Sequence, residues 1–310
     1  MASQLNLLTQ INLDDLVSSF GWTESPRLAH LLRRLFLHPA QTFAEAMVEF
    51  DDAVGAHGLP DASRLLLGRY VREVRVYGHE NIPPAAPFLA LSNHPGMADT
   101  VSLFAAINRA DLKIIALDRP FLKALPHTSN QLFYLKDDPA ARMTLVRQVS
   151  THLKSGGSAL TFPAGEIEPD PNVYAGALEA LDKWTDSAGV FLRMAPETVI
   201  LPTLVRGVIW DKTAQHPLVR IAKKKKEERE KLAAAFQLLA HVQFKQRPVT
   251  VTVQIGQPIT VEKLGSKETQ VIHQAVVTEM RRLIQNPPAG DGECVIGVGS
   301  KPISYPISNH

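Results

Sequence analysis

Between residues 74 and 255 short apolar runs alternate with stretches of helical period, and no other feature of the sequence limits the fold as strongly. The runs at 74–78, 87–92, 112–117, 132–135, 158–162, 199–205 and 249–256 are rich in Val, Ile, Leu and Phe, as strands are. Between them lie segments with apolar residues at helical spacing, at 139–153, 176–194 and 218–242, and a last one at 267–284. Gly156-Gly157 closes the first of these, as glycine at a helix end commonly does. Strands alternating with helices need helices on both sheet faces, so the expected fold is α/β: a mixed, mostly parallel sheet flanked by helices. The alternating run at 249–256 reads as an edge or near-edge strand.

Residues 1–72 read as a small N-terminal helical module. Leu28, Leu31, Leu32, Leu35, Phe36, Phe43, Met47, Phe50 and Val54 follow a helical period, with Pro39 as an expected break and a further helix over 61–71. Its apolar stripes suit packing against the main domain; Trp22, Arg27, Arg33 and Arg34 also suit contact with a membrane surface. The main domain is expected over 73–286. The glycine-, proline- and serine-rich stretch 287–310 is expected to be a loosely ordered tail.

Bulk properties narrow the function. A net charge of +2 over 310 residues gives nucleic acid no electrostatic footprint. The single cysteine, Cys294, excludes an intrachain disulfide and a cysteine-based metal site, which fits a reducing cytoplasm. The N-terminus does not read as a secretory signal, and no run approaches the roughly 18 apolar residues of a spanning helix. The expected location is therefore cytoplasmic, with peripheral contact at the membrane face. The charge run from Lys223 to Lys231 reads as a solvated helix face with pairs such as Glu227 and Lys231, a reading compatible with a lipid-headgroup patch.

The chemistry gathers at Asn93-His94-Pro95-Gly96-Met97-Ala98-Asp99, between a strand and a helix. A loop bending at Pro95-Gly96 folds His94 back over Asp99, which then orients one imidazole nitrogen and leaves the other basic. Two more strands end in residues that suit a ligand crevice. Phe162-Pro163-Ala164-Gly165-Glu166 turns sharply, and the 199–205 strand carries Pro202 and runs into Arg206. In open α/β sheets ligands bind beyond the carboxyl ends of strands, which brings these stretches toward one crevice.

Taken in order, these stretches resemble the glycerolipid acyltransferase family of lysophosphatidate and glycerol-3-phosphate acyltransferases, over roughly residues 73 to 260. His94 and Asp99 fall on the family's catalytic His-x4-Asp block. Leu132-Phe133-Tyr134-Leu135-Lys136 falls on its second block, with Lys136 where arginine is usual. Pro163 and Gly165 fall on its Phe-Pro-Glu-Gly block, with Ala164 in the glutamate position and Glu166 two residues on. Pro202 falls on its fourth block. The resemblance implies that Lys136, Gly165 and Glu166 contribute to binding the acceptor and its phosphate, with Arg142 and Arg206 as further cations; lysine serves as a point charge rather than a fork.

The implied reaction is transfer of an acyl group from acyl-CoA or acyl-carrier protein to a hydroxyl of a glycerol-phosphate-type acceptor, with no cofactor and no metal. Such a donor is already activated, and the chain has no Gly-x-Ser-x-Gly elbow to supply a nucleophile. Backbone amides near Gly96 are the candidate oxyanion site. Transfer to an amine or a hydroxyl without phosphate, and a catalytically silent lipid-binding protein, are the alternatives.

Overall fold

The computed structural model describes residues 2–19, 26–217, 219, 229, 232–234, 236–238, 241, 246, 249–290 and 292–296. One sheet organises it, built from β1 (Glu73–Tyr77), β2 (Phe88–Ser92), β3 (Leu112–Leu117), β4 (Leu132–Leu135), β5 (Ser158–Thr161), β6 (Val199–Arg206), β7 (Thr250–Ile255) and β8 (Glu293–Ile296). The order across it is β4-β3-β5-β2-β6-β7-β1-β8. Pairing is parallel throughout except β6 with β7 and β1 with β8. The mixed, mostly parallel sheet expected from the alternation is therefore present.

β2 shows why these runs become central strands. All five of its residues are buried, and successive side chains enter opposite faces of the sheet. Phe88 and Ala90 join one core with Phe50, Leu67 and Leu103. Leu89 and Leu91 join the other with Val149, Leu192 and Val276.

The first face is covered by α2 (Pro26–His57), α3 (Leu59–Tyr70) and α4 (Met97–Ile107). The second is covered by α7 (Pro139–Lys154), α9 (Ser187–Met194) and α12 (Thr269–Gln285). α1 (Ala2–Ser19) lies on α2 through Leu13, Val17, Leu32 and Phe36. Short turns α5 (Pro120–Lys123), α6 (Pro126–Ser129), α8 (Ala177–Ala180), α10 (Asp211–Ala214) and α11 (Val261–Leu264) complete the helices.

The N-terminal helices share the sheet's core, with Met47, Phe50 and Val54 in one cluster with Val74 and Val76. Asp51, buried on α2, accepts the N–H groups of His127 (3.2 Å) and Thr128 (2.7 Å) and so ties α2 to the start of α6. Among the described residues no helix is long and apolar enough to cross a membrane.

Four expectations need correction. Pro39 does not break its helix; α2 runs through it. A proline inside a helix costs about 3 kcal/mol, but Phe36, Ala40, Ala44, Met47, Phe50 and Val54 form one continuous buried stripe across it, and that packing outweighs the lost bond. The 176–194 stretch is not one helix: a short 3-10 turn, Leu181–Lys183, follows α8, and Trp184 is extended (φ −65°, ψ 130°) before α9. β7 is interior, between β6 and β1. The tail contributes β8 as the edge strand on β1. Trp22 and most of the 218–242 stretch, including all of its charge run but Arg229, lie outside the described residues.

Candidate active site

β2 to β6 run parallel, so their carboxyl ends share one edge of the sheet, and the loop from β2 to α4 carries His94 there. Asn93 anchors that loop to β6: its side chain donates to Val205 O and accepts Val205 N–H, both at 2.8 Å, with Asn93 buried. α4 then begins at Met97 with Asp99 in its first turn, where an acid suits the helix N-terminus.

Asp99 is fully buried and every oxygen is used. Oδ2 accepts His94 Nδ1 (2.8 Å) and Gly96 N–H (2.8 Å). Oδ1 accepts the main-chain N–H of Thr100 and its Oγ1 at 3.0 Å. A carboxylate only accepts, so Nδ1 carries the proton and Nε2 keeps its lone pair. The imidazole stacks on Phe162 at 4.5 Å between centroids, 25° between planes. Its side chain is 31% exposed, against 0% for Asp99. The imidazole faces out and the carboxylate that holds it faces in.

Burial alone would lower the proton affinity of His94. The charge and hydrogen bond of Asp99, with the charge of Glu168, outweigh it and hold the pKa above the ordinary 6.5, while Arg119 pulls the other way.

The comparisons with known proteins bear on this stretch. Residues 73–206 match the sequence model of the family described as Acyltransferase. That segment belongs to the acyltransferase family. It takes in His94, Asp99, the turn after β5 and all of β6, and ends at Arg206, short of the residue 260 that the resemblance reached. Among solved structures the chain is similar to the 1-acyl-sn-glycerophosphate (LPA) acyltransferase PlsC of Thermotoga maritima, with 17% identity, 94% of this chain and all of that one covered, and a TM-score of 0.42. No curated protein sequence matches the chain.

The remaining predicted residues of the acyltransferase segment divide into those the fold brings to the His94 edge and those it does not. Pro163 and Gly165 form the turn after β5: Gly165 N–H donates to Phe162 O (3.1 Å) with φ +67°, a left-handed conformation that glycine adopts at no steric cost. Pro163 O also accepts Thr185 N–H at 3.2 Å. Pro202 pairs with Leu91 of β2, and its carbonyl accepts Gly256 N–H (2.8 Å) where β7 has just ended. Its missing N–H thus falls outside the β6–β7 ladder, which starts at Thr203.

Lys136 is exposed at the end of β4, 3.8 Å from Asp118. Arg142 is exposed beside it, donating to Lys136 O (3.3 Å) and pairing with Asp137 (3.3 Å). Glu166 is paired with Lys183 at the surface. Arg206 is buried and turned to the opposite face, donating to Leu283 O (2.7 Å) at the end of α12. It serves that helix terminus and not the crevice.

Three residues that act on His94 or on the turns beside it escaped sequence reasoning. Arg119, exposed at the carboxyl end of β3, acts on His94 through its charge. Its place just after a strand was the signal for it. Glu168, buried, accepts His94 N–H at 3.0 Å. Asp170, fully buried, accepts the N–H groups of Gly207 (2.9 Å), Val208 (2.8 Å) and Ile209 (3.2 Å) and pins the turn after β6, its pKa raised by burial. Among the described residues no cluster of His, Cys, Asp and Glu could hold a metal ion.

Proposed function

We propose that this acyltransferase moves a fatty acyl group from a thioester, acyl-CoA or acyl-carrier protein, to a hydroxyl of a glycerol-phosphate-type acceptor such as lysophosphatidate or glycerol-3-phosphate, in phospholipid synthesis. One observation carries the reading: a part-exposed imidazole held at 2.8 Å by a wholly buried carboxylate, with its second nitrogen free of side-chain partners among the described residues. His94 Nε2 takes the proton of the acceptor hydroxyl as that oxygen attacks the thioester carbonyl. Asp99 stabilises the imidazolium, and the thiolate leaves as the tetrahedral intermediate collapses, taking the proton back from His94.

Gly96 N–H already serves Asp99, so the oxyanion falls to the first-turn N–H groups of Met97 and Ala98, which no intrahelical carbonyl accepts. Arg119, Lys136 and Arg142 give the same edge of the sheet a cationic rim suited to a phosphate. A lipid acceptor places the protein at a membrane surface. Leu31 and Leu35, one turn apart on α2, are 59% and 64% exposed, in keeping with such contact.

The test is release of free thiol from palmitoyl-CoA and palmitoyl-carrier protein, each with glycerol-3-phosphate or lysophosphatidate. Acyl transfer is expected with at least one pair, and His94→Ala is expected to lower it by about 10²- to 10⁴-fold. A wild type inert toward every pair, or a His94→Ala protein of full activity, would end the proposal.

A further inference from the structure

The acid that reaches the catalytic loop is neither Ala164's missing glutamate nor Glu166 but Glu168, and its contacts single out His94. One carboxylate oxygen, Oε2, accepts His94 N–H at 3.0 Å, and Glu168 N–H donates to His94 O at 2.9 Å. Both main-chain polar groups of the base are thus held by one residue. The other oxygen, Oε1, accepts the indole N–H of Trp184 at 2.8 Å. Two donors converge on two oxygens, which suits a carboxylate; an amide would turn an NH₂ toward one of them.

Glu168 is 3% exposed, and among the described residues it forms no salt bridge. Burying an acid in that way is unfavourable. The helical run of 176–194 is interrupted at Trp184, the residue whose indole reaches Glu168, and Thr185 N–H is tied to Pro163 O.

We propose that Glu168 is a positioning residue for acyl transfer, fixing the main chain of His94 through hydrogen bonds and placing a second negative charge behind the imidazole. The inference rests on His94 being the base of the proposed reaction. The charged and titratable groups that face the pair are Asp99 from α4 and Arg119 from the end of β3, with Trp184 as a hydrogen-bond donor. Burial pushes the Glu168 carboxyl up to about 7, opposed by the Trp184 and His94 donors and the His94 charge and reinforced by Asp99. Glu168 in turn raises the proton affinity of His94. Removing its charge lowers that affinity, and a residue serving the fold alone would leave it where it is.

Glu168→Gln tests this in two ways on the full chain. With palmitoyl-CoA as donor, kcat is expected to fall about ten-fold while KM stays within about two-fold, since the loss is of orientation and not of substrate contact. The proton NMR titration of the His94 ring, read on the protein without substrate, is expected to move to lower pH. An unchanged titration midpoint together with an unchanged kcat overturns the proposal. The titration needs no turnover, so a wild type inert toward every thioester would sink the reaction while leaving the Glu168–His94 linkage to be decided by the midpoint. If Glu168→Gln fails to fold, Trp184→Phe removes one donor, leaves Glu168 more readily protonated, and is expected to move the His94 midpoint down by a smaller step; no movement there overturns the proposal.

Discussion

At the scale of single residues, the site is an imidazole between three influences: Asp99 beneath it, Phe162 against its face and Glu168 behind its main chain. In the proposed reaction His94 is the base and must be neutral. Its pKa lies above 6.5, so kcat/KM is expected to rise with pH along an acid limb whose midpoint also lies above 6.5. Asp99→Asn removes the charge that holds the value up. That limb then moves to lower pH while the rate above it falls by about 10²- to 10⁴-fold, through loss of the oriented tautomer. A pH–rate profile of the two proteins checks both parts. The His94–Asp99 pair was legible because both residues lie in one short loop, where spacing fixes what can touch. Glu168 was not, since its contact joins residues 74 apart in sequence. Arg206 was misread for a related reason: its place at a strand end was right, but strand position alone does not tell which face a side chain takes, and this one takes the α12 face.

At the scale of elements, the parallel strands β2 to β6 and the long helices were legible from their apolar period, and the misreadings fall where packing overrode a local rule. Pro39 lies within a stripe of buried side chains, so the helix continues. Trp184 leaves its helical path to place an indole N–H on a buried carboxylate. The alternation in β7 suggested an edge because Thr250 and Thr252 are polar, yet β1 pairs beside them through Glu73↔Thr250 and Arg75↔Thr252, so their polarity marks a half-buried face of the sheet and not its edge. β8 is four residues long and has too little pattern to be seen without its partner β1. Removing residues 291–310 would strip β8 and leave β1 an open edge. The truncated protein is expected to aggregate more readily on warming, checked by light scattering, with kcat per folded molecule within about two-fold of the full chain because β8 lies across the sheet from His94.

At the scale of the whole molecule, the buried acids around the site set how stability follows pH. Glu168 is raised from 4.5 to about 7, Asp170 is raised from 3.8 and His94 from 6.5. Each binds protons more tightly folded than unfolded, so the stability it contributes is present at low pH and lost as pH rises through its folded value. Asp111 and Glu279, lowered by their arginine partners, act in the opposite sense: their contribution is present above their ordinary values and lost as pH falls. Glu168 alone makes stability fall as pH rises through about 7, a decline that Glu168→Gln makes shallower, and a series of melting temperatures on either side of that pH checks it. β1 is made before the strands around His94, yet both of its neighbours, β7 and β8, come after them. During translation it therefore has no strand to join until residue 250 has been made, whereas β2 to β6 can assemble as soon as Arg206 clears the ribosome. A nascent chain can build the edge that carries His94 early while its first strand waits, and that waiting segment is the one a chaperone would have reason to shield.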